Sequence, residues 1–68
     1  MSVYKVVELV GTSRVSWDDA AKSAIETARR SLQDIRVAEV TKMDLKIEND
    51  AVVFRTRLSL SFKYHGDA

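Results

Sequence analysis

The sequence predicts an α+β domain whose elements follow the order β-α-β-β. Three patterns support this prediction: an N-terminal run rich in β-branched residues, an alanine-rich segment of helical period, and two later segments of alternating hydrophobicity. A chain of 68 residues has room for one domain, which we place at residues 1–68. One helix and three strands account for almost all of that length.

The first predicted strand covers residues 3–10, and it is apolar on both faces. Gly11 follows this run, and the next two residues are hydroxylic. Glycine suits a tight or positive-φ turn, and hydroxyl groups can satisfy loose backbone groups there. We therefore predict that the strand ends in a Gly-Thr-Ser turn at residues 11–13.

The helix is predicted from about Trp17 to Leu32. Ser16 is a suitable N-cap, with an acidic residue three positions further on. Apolar residues then recur with the helical period, at Trp17, Ala20, Ala21, Ala24, Ile25, Ala28 and Leu32. Because this stripe consists mostly of alanine, the helix can lie close to a sheet, and Trp17 is expected to belong to its packed face.

The second predicted strand runs from residue 34 to about residue 48. Apolar residues of one parity dominate it: Ile35, Val37, Met43, Leu45 and Ile47. Ala38 and Val40 break the alternation, which predicts either burial on both faces or a β-bulge. Asn49 and Asp50 are typical of a hairpin turn.

The last predicted strand, residues 52–64, has the clearest alternation. Its even-numbered positions are mainly apolar, and its odd-numbered positions are mainly polar, as at Arg55 and Arg57. Residues 65–68 are predicted to form a loose tail. We expect the two long strands to form an antiparallel hairpin to which the first strand adds.

The chain also has features of a subunit. A domain of this size buries only about 60% of its unfolded surface, and there is no cysteine to form a disulfide. One helix can cover only one face of the sheet, although the first strand is apolar on both faces. The remaining apolar surface predicts association with further copies of the chain.

The charge balance excludes some partners. Eleven Lys and Arg residues against ten Asp and Glu residues give a net charge of +1, which gives no global field for nucleic acid or an anionic membrane. No apolar run is long enough to span a bilayer, and the N-terminus lacks the features of a signal peptide. We expect a cytoplasmic protein with neither nucleic acid nor a membrane as partner.

Catalytic chemistry is not indicated by the sequence. The only histidine, His65, lies in the predicted tail, so no arrangement of nucleophile and base is credible and we expect no enzyme. Asp44, Glu48 and Asp50 lie near one hairpin and could bind a hard cation through oxygen, although a solvated turn is the more ordinary interpretation.

Two arginines stand out on the last strand. Arg55 and Arg57 share one face, where they could hold a phosphate or a carboxylate. An ion pair between subunits, with Glu39 or Asp44 as the acid, explains them at least as well. The residues alone leave both alternatives open.

The sequence resembles the dodecin family over almost its full length. The resemblance rests on the opening strand with its Gly-Thr-Ser segment at residues 4–13, the alanine-rich helix, the Ala-Glu-Val step at 38–40, and the segment from Phe54 to Phe62. It implies a three-stranded antiparallel sheet curled around one helix and assembled as a hollow homododecamer. It also implies a protein that binds and stores a flavin, such as riboflavin or FMN, without turning it over.

Two positions depart from the flavin-binding pattern of that family. The family places a Trp, on which flavin rings stack, just before the Ala-Glu-Val step, and here that position is Val37. The Gln that hydrogen-bonds the flavin edge is replaced by Arg55. The resemblance implies that Val37 and Arg55 of neighbouring subunits line one ligand pocket.

The segment from Ile35 to Ala38, which lacks the Trp, is similar to the branch of the family known as calcium dodecins.

The resemblance implies two alternative functions. One is a small-ligand storage protein of the flavin class, with its ligand at Val37 and Arg55. The other is a Trp-less shell that binds calcium, through ligands that the sequence does not identify, or that is purely structural.

Overall fold

The computed structural model describes residues 2–65 and confirms the order β-α-β-β. Strand β1 comprises Val3–Ser13, helix α1 Trp17–Ala28, strand β2 Ile35–Glu48 and strand β3 Ala51–Tyr64. The strands form one antiparallel sheet in the order β1-β3-β2, as predicted for a hairpin to which the first strand adds. Except for His65, the predicted tail lies outside the described residues.

Helix α1 packs against one face of the sheet, which we call the inner face. The opposite face is the outer face. Leu58 and Leu60 of β3 are almost fully buried on the inner face, against Ala24 and Ala28 of α1. This arrangement confirms the even-numbered apolar face of β3 and the buried alanine stripe, because small side chains allow the helix to approach the strands closely.

Gly11 does not end the first strand, and the predicted turn at residues 11–13 was wrong. Strand β1 continues through Gly11 to Ser13, and Gly11 is buried beneath α1. A Cβ atom at this position would overlap the carbonyl oxygen of Ala20 and lie 3.0 Å from the Cβ of Ala24. The glycine therefore serves the close approach of helix and strand.

The start of α1 was predicted correctly, but its end was placed too late. The Ser16 hydroxyl accepts a hydrogen bond from the Asp19 backbone N–H at 3.0 Å. The helix ends at Ala28, and the next residues form tight turns. Asp34 then takes a positive φ of 60°, and its carbonyl accepts a bond from the Lys63 N–H. The chain must reverse here to reach the sheet. The helix therefore ends before Leu32, although the apolar period extends to that residue.

Two β-bulges interrupt the pairing of β2 with β3. One lies between Ile35 and Val37, and the other between Val40 and Lys42. The bulges flank Ala38 and Val40, where the sequence predicted either burial on both faces or a bulge. The prediction that the apolar residues of one parity in β2 share one face was wrong. Ile35 lies on the inner face, whereas Val37, opposite Ser61 of β3, lies on the outer face.

Beyond α1, the β2–β3 hairpin is uncovered on its inner face. The protomer is elongated, with extents of 50 × 20 × 15 Å. Met43, Leu45 and Ile47 are 56%, 48% and 69% exposed in the single chain. Within residues 2–65, no helix has the length and apolar character needed to cross a membrane.

Candidate functional site

The two residues expected to bind a ligand both lie on the outer face but far apart. Val37 is opposite Ser61, six positions along β3 from Arg55. At about 3.4 Å per residue, the two sites are about 20 Å apart along the sheet. One chain therefore does not bring Val37 and Arg55 together, and a pocket lined by both requires two subunits.

Arg55 is bound by an acidic neighbour within the same chain. Its Nε and Nη2 atoms donate to the two carboxylate oxygens of Asp44, at 2.6 and 2.7 Å. The residues are directly opposite in the β2–β3 register, so the strand pairing sets this two-point geometry. The ion pair of Arg55 with Asp44 was expected between subunits but forms within one chain. The bulge before Lys42 brings Asp44 opposite Arg55.

The ion pair is only partly shielded from water. The side chains of Arg55 and Asp44 are 42% and 30% exposed. The hydrogen bond from Arg55 holds the pKa of the Asp44 carboxyl below its ordinary value of 3.8, and the same bond raises the pKa of Arg55. Asp44 is therefore a carboxylate, and Arg55 a cation, throughout the neutral range.

Trp17 connects the helix start to the same part of the sheet. Its indole Nε1–H donates to the backbone carbonyl of Asp44 at 3.1 Å, and its ring meets Phe54 edge-on, with centroids 5.1 Å apart. Thr56, which is fully buried, donates from its hydroxyl to the Trp17 carbonyl at 3.0 Å. Trp17 packs on the inner face as predicted, and its bond to the Asp44 backbone was not anticipated.

A small depression lies on the outer face beside the ion pair. It has a volume of about 40 Å³ and is lined by Val10, Lys42, Asp44, Arg55 and Arg57. Lys42 was missed as a candidate because its side chain reaches this face only through the bulge at Thr41. The depression is large enough for water or a small polyatomic group.

The three acids considered for a hard cation do not form a cation site within one chain. Asp44 forms an ion pair with Arg55. Glu48 forms an ion pair with Lys46 at 2.9 Å, which lowers the pKa of Glu48. Asp50 lies in the predicted hairpin turn, with a positive φ of 65°. Across residues 2–65 there is no group of three or more His, Cys, Asp or Glu side chains placed to hold a metal ion.

His65 lies on the surface near the loop that precedes β2. Its side chain is 66% exposed, and its Nε2 atom is 2.9 Å from a carboxylate oxygen of Asp34. This contact holds the pKa of the Asp34 carboxyl below its ordinary value of 3.8. The histidine links the end of β3 to that loop.

A small β-α-β-β domain with uncovered apolar surface is typical of a chain that associates with further copies. The dodecin family model matches residues 3–65 of this chain. The chain therefore belongs to the dodecin family, which confirms the resemblance seen in the sequence.

Individual relatives agree with this assignment. Calcium dodecin of Mycobacterium tuberculosis is 45% identical over 64 residues, which cover 93% of this chain and 90% of the relative. The crystal structure of that calcium-chelating antigen, reported with a novel calcium-binding site, matches with a TM-score of 0.87 and 41% identity, covering 98% and 97% of the two chains. Dodecin from Streptomyces coelicolor matches with a TM-score of 0.90 and 31% identity, covering 97% and 96%.

Proposed function

We propose that this chain is the protomer of a hollow homododecamer that binds a small ligand without chemical turnover, and that the ligand is calcium. The observation that carries the proposal is the 45% identity to calcium dodecin over 93% of the chain. The proposal treats residues 1–68 as one binding domain of a cytoplasmic protein.

The exposed apolar side chains support the assembly. Large hydrophobic residues remain uncovered on both faces of the sheet, including Tyr4 and Val6 of β1 on the outer face and Leu45 and Ile47 of β2 on the inner face. A domain of this size gains stability when other copies cover such surface. We therefore place subunit contacts at these strands.

The geometry disfavours a flavin as the ligand. Val37 provides no aromatic ring for stacking, and aromatic stacking contributes about 0.5–1.5 kcal/mol beyond burial. The guanidinium of Arg55 is already held at two points by Asp44. A pocket of Val37 and Arg55 from neighbouring subunits remains the proposed ligand site of the flavin alternative.

Calcium ligands must come from more than one protomer or from backbone carbonyls. Calcium takes six to eight oxygen ligands in general, whereas residues 2–65 of one chain contain no cluster of three acidic side chains. Subunit contacts can bring acids of different chains together. A site built from acids of several chains would make calcium binding depend on assembly.

One experiment tests both parts of the proposal. Light scattering should give the mass of a dodecamer, and calorimetric titration of the same metal-free sample with CaCl₂ should show saturable binding that MgCl₂ does not reproduce. A riboflavin fluorescence titration should show no quenching. A dodecamer with strong riboflavin quenching and no calcium heat would replace the calcium proposal with the flavin alternative.

The Val37–Arg55 site has its own test. The double variant Val37→Trp with Arg55→Gln should gain riboflavin quenching, because it restores a stacking surface and an amide donor. The single variant Val37→Trp is the control, since it restores the ring and leaves the Arg55–Asp44 pair in place. No gain in an assembled double variant would reject a pocket at these two positions.

A further inference from the structure

We propose that the depression on the outer face binds the phosphate group of a small anionic molecule, or free phosphate, through Lys42, Arg55 and Arg57. This site goes beyond the calcium proposal, because a group of cationic side chains repels a metal ion and attracts an anion. The proposal rests on the charges, the strand register and the shape of the depression.

The first observation is an excess of positive charge. Three cationic side chains line the depression with a single carboxylate, that of Asp44, in a chain whose net charge is only +1. Both oxygens of Asp44 are bonded to Arg55. Among residues 2–65, neither Lys42 nor Arg57 has a carboxylate oxygen within ion-pair distance. Lys42 and Arg57 lie near the Asp44 carboxylate without bonding to it, so both can still donate to an anion.

The second observation is that two of these cations are placed directly opposite each other. Lys42 pairs with Arg57 in the β2–β3 register. Like charges at opposite positions destabilise a sheet, so an arrangement of this kind requires compensation. An anion bound between the two side chains would remove the repulsion.

The third observation is that a bulge creates this arrangement. The register shifts between Val40 and Lys42, and the hydroxyl of the extra residue, Thr41, donates to the Arg57 carbonyl at 3.3 Å. With regular pairing, Thr41 would lie opposite Arg57 and Lys42 would point to the inner face. Bulges commonly redirect side chains next to binding sites.

The geometry also suits a phosphate. Asp44 uses Nε and Nη2 of Arg55, and among residues 2–65 no side-chain bond involves Nη1, which can therefore donate to an anion. Asp44 fixes the position of that guanidinium. The Val10 side chain forms the apolar wall of the depression on β1. Arginine and lysine together recognise phosphate oxygens through charge-assisted hydrogen bonds.

The test is a titration of the assembled protein with inorganic phosphate at low ionic strength, in which calorimetry or ³¹P NMR measures the binding. The buffer is first passed over a chelating resin, so that the result is independent of calcium. Arg57→Gln should weaken phosphate binding about tenfold, since a lost charge-assisted bond corresponds to about one decade of affinity. Asp44→Asn should strengthen binding, because it removes the only negative charge in the depression while its amide oxygen can still accept a bond from Arg55.

The matched control is Lys22→Gln, which removes one cation from the exposed side of α1 and should leave phosphate affinity unchanged. If Arg57→Gln does not assemble, Lys42→Gln replaces it at an exposed position and should likewise weaken phosphate binding. The absence of saturable phosphate binding by the wild type would overturn the proposal, as would an equal loss in Lys22→Gln. Tighter binding of glycerol phosphate than of phosphate would identify a phosphorylated molecule as the ligand, and equal binding would identify free phosphate.

Discussion

The two faces of the sheet are organised by different interactions. The inner face is closed by α1 over a dense apolar contact, with Leu58 and Leu60 buried beside alanines. The outer face exposes charged side chains, among them the Arg55–Asp44 ion pair. Packing determines the inner face, whereas strand register and two bulges determine the outer face. We therefore expect the fold and the proposed anion site to respond to different substitutions.

The largest expected effect is on the inner face. Leu60→Ala removes a fully buried side chain and should lower the free energy of unfolding by about 2–5 kcal/mol. Denaturant unfolding followed by Trp17 fluorescence measures this loss. Ser59→Ala is the matched control, because its side chain points to the outer face one position away. If both substitutions had equal effects, the assignment of the two faces would be wrong.

The close contact between helix and strand gives the second prediction. Gly11→Ala would place a methyl group against the Ala20 carbonyl, so α1 must shift away from β1. Overpacking of this kind costs about 1–3 kcal/mol, measured as a lower free energy of unfolding. Thr12→Ala, at the next and exposed position, should change stability little. Unchanged stability in Gly11→Ala would show that the helix has room to move.

The sequence predicted the inner face well because its patterns are local. The alternation of β3 identified Leu58 and Leu60, and the helical period identified the alanine stripe. Gly11 was misread because glycine permits both a positive-φ turn and a close approach of another element. Only the packed structure shows which of the two is used.

The outer face was less predictable for a different reason. A bulge adds one residue to a strand and reverses the direction of all later side chains, and no residue type marks its position uniquely. Val37 therefore did not share the face of Met43 and Leu45, and Lys42 was not seen as a neighbour of Arg57. The sequence suggested Asp44 as a partner of Arg55, but it could not show that the ion pair forms within one chain.

The smallest expected effect separates the outer face from the core by its pH dependence. Because Arg55 lowers the pKa of Asp44 below 3.8, the folded state releases this proton more readily than the unfolded chain. The ion pair therefore stabilises the fold at pH values above 3.8, and its contribution disappears as the pH falls through the lower folded pKa.

Thermal unfolding of the wild type and of Asp44→Asn provides the measurement. The wild type should have the higher Tm at neutral pH, and the difference should shrink as the pH falls from 3.8 through the lower folded pKa, where the wild-type carboxylate becomes protonated. Glu26→Gln is the control, because Glu26 meets Arg29 through one oxygen on an exposed helix surface and should affect Tm less. A Tm difference for Asp44→Asn that persists unchanged in acid would show that Asp44 acts through the shape of the strand pair and not through its charge.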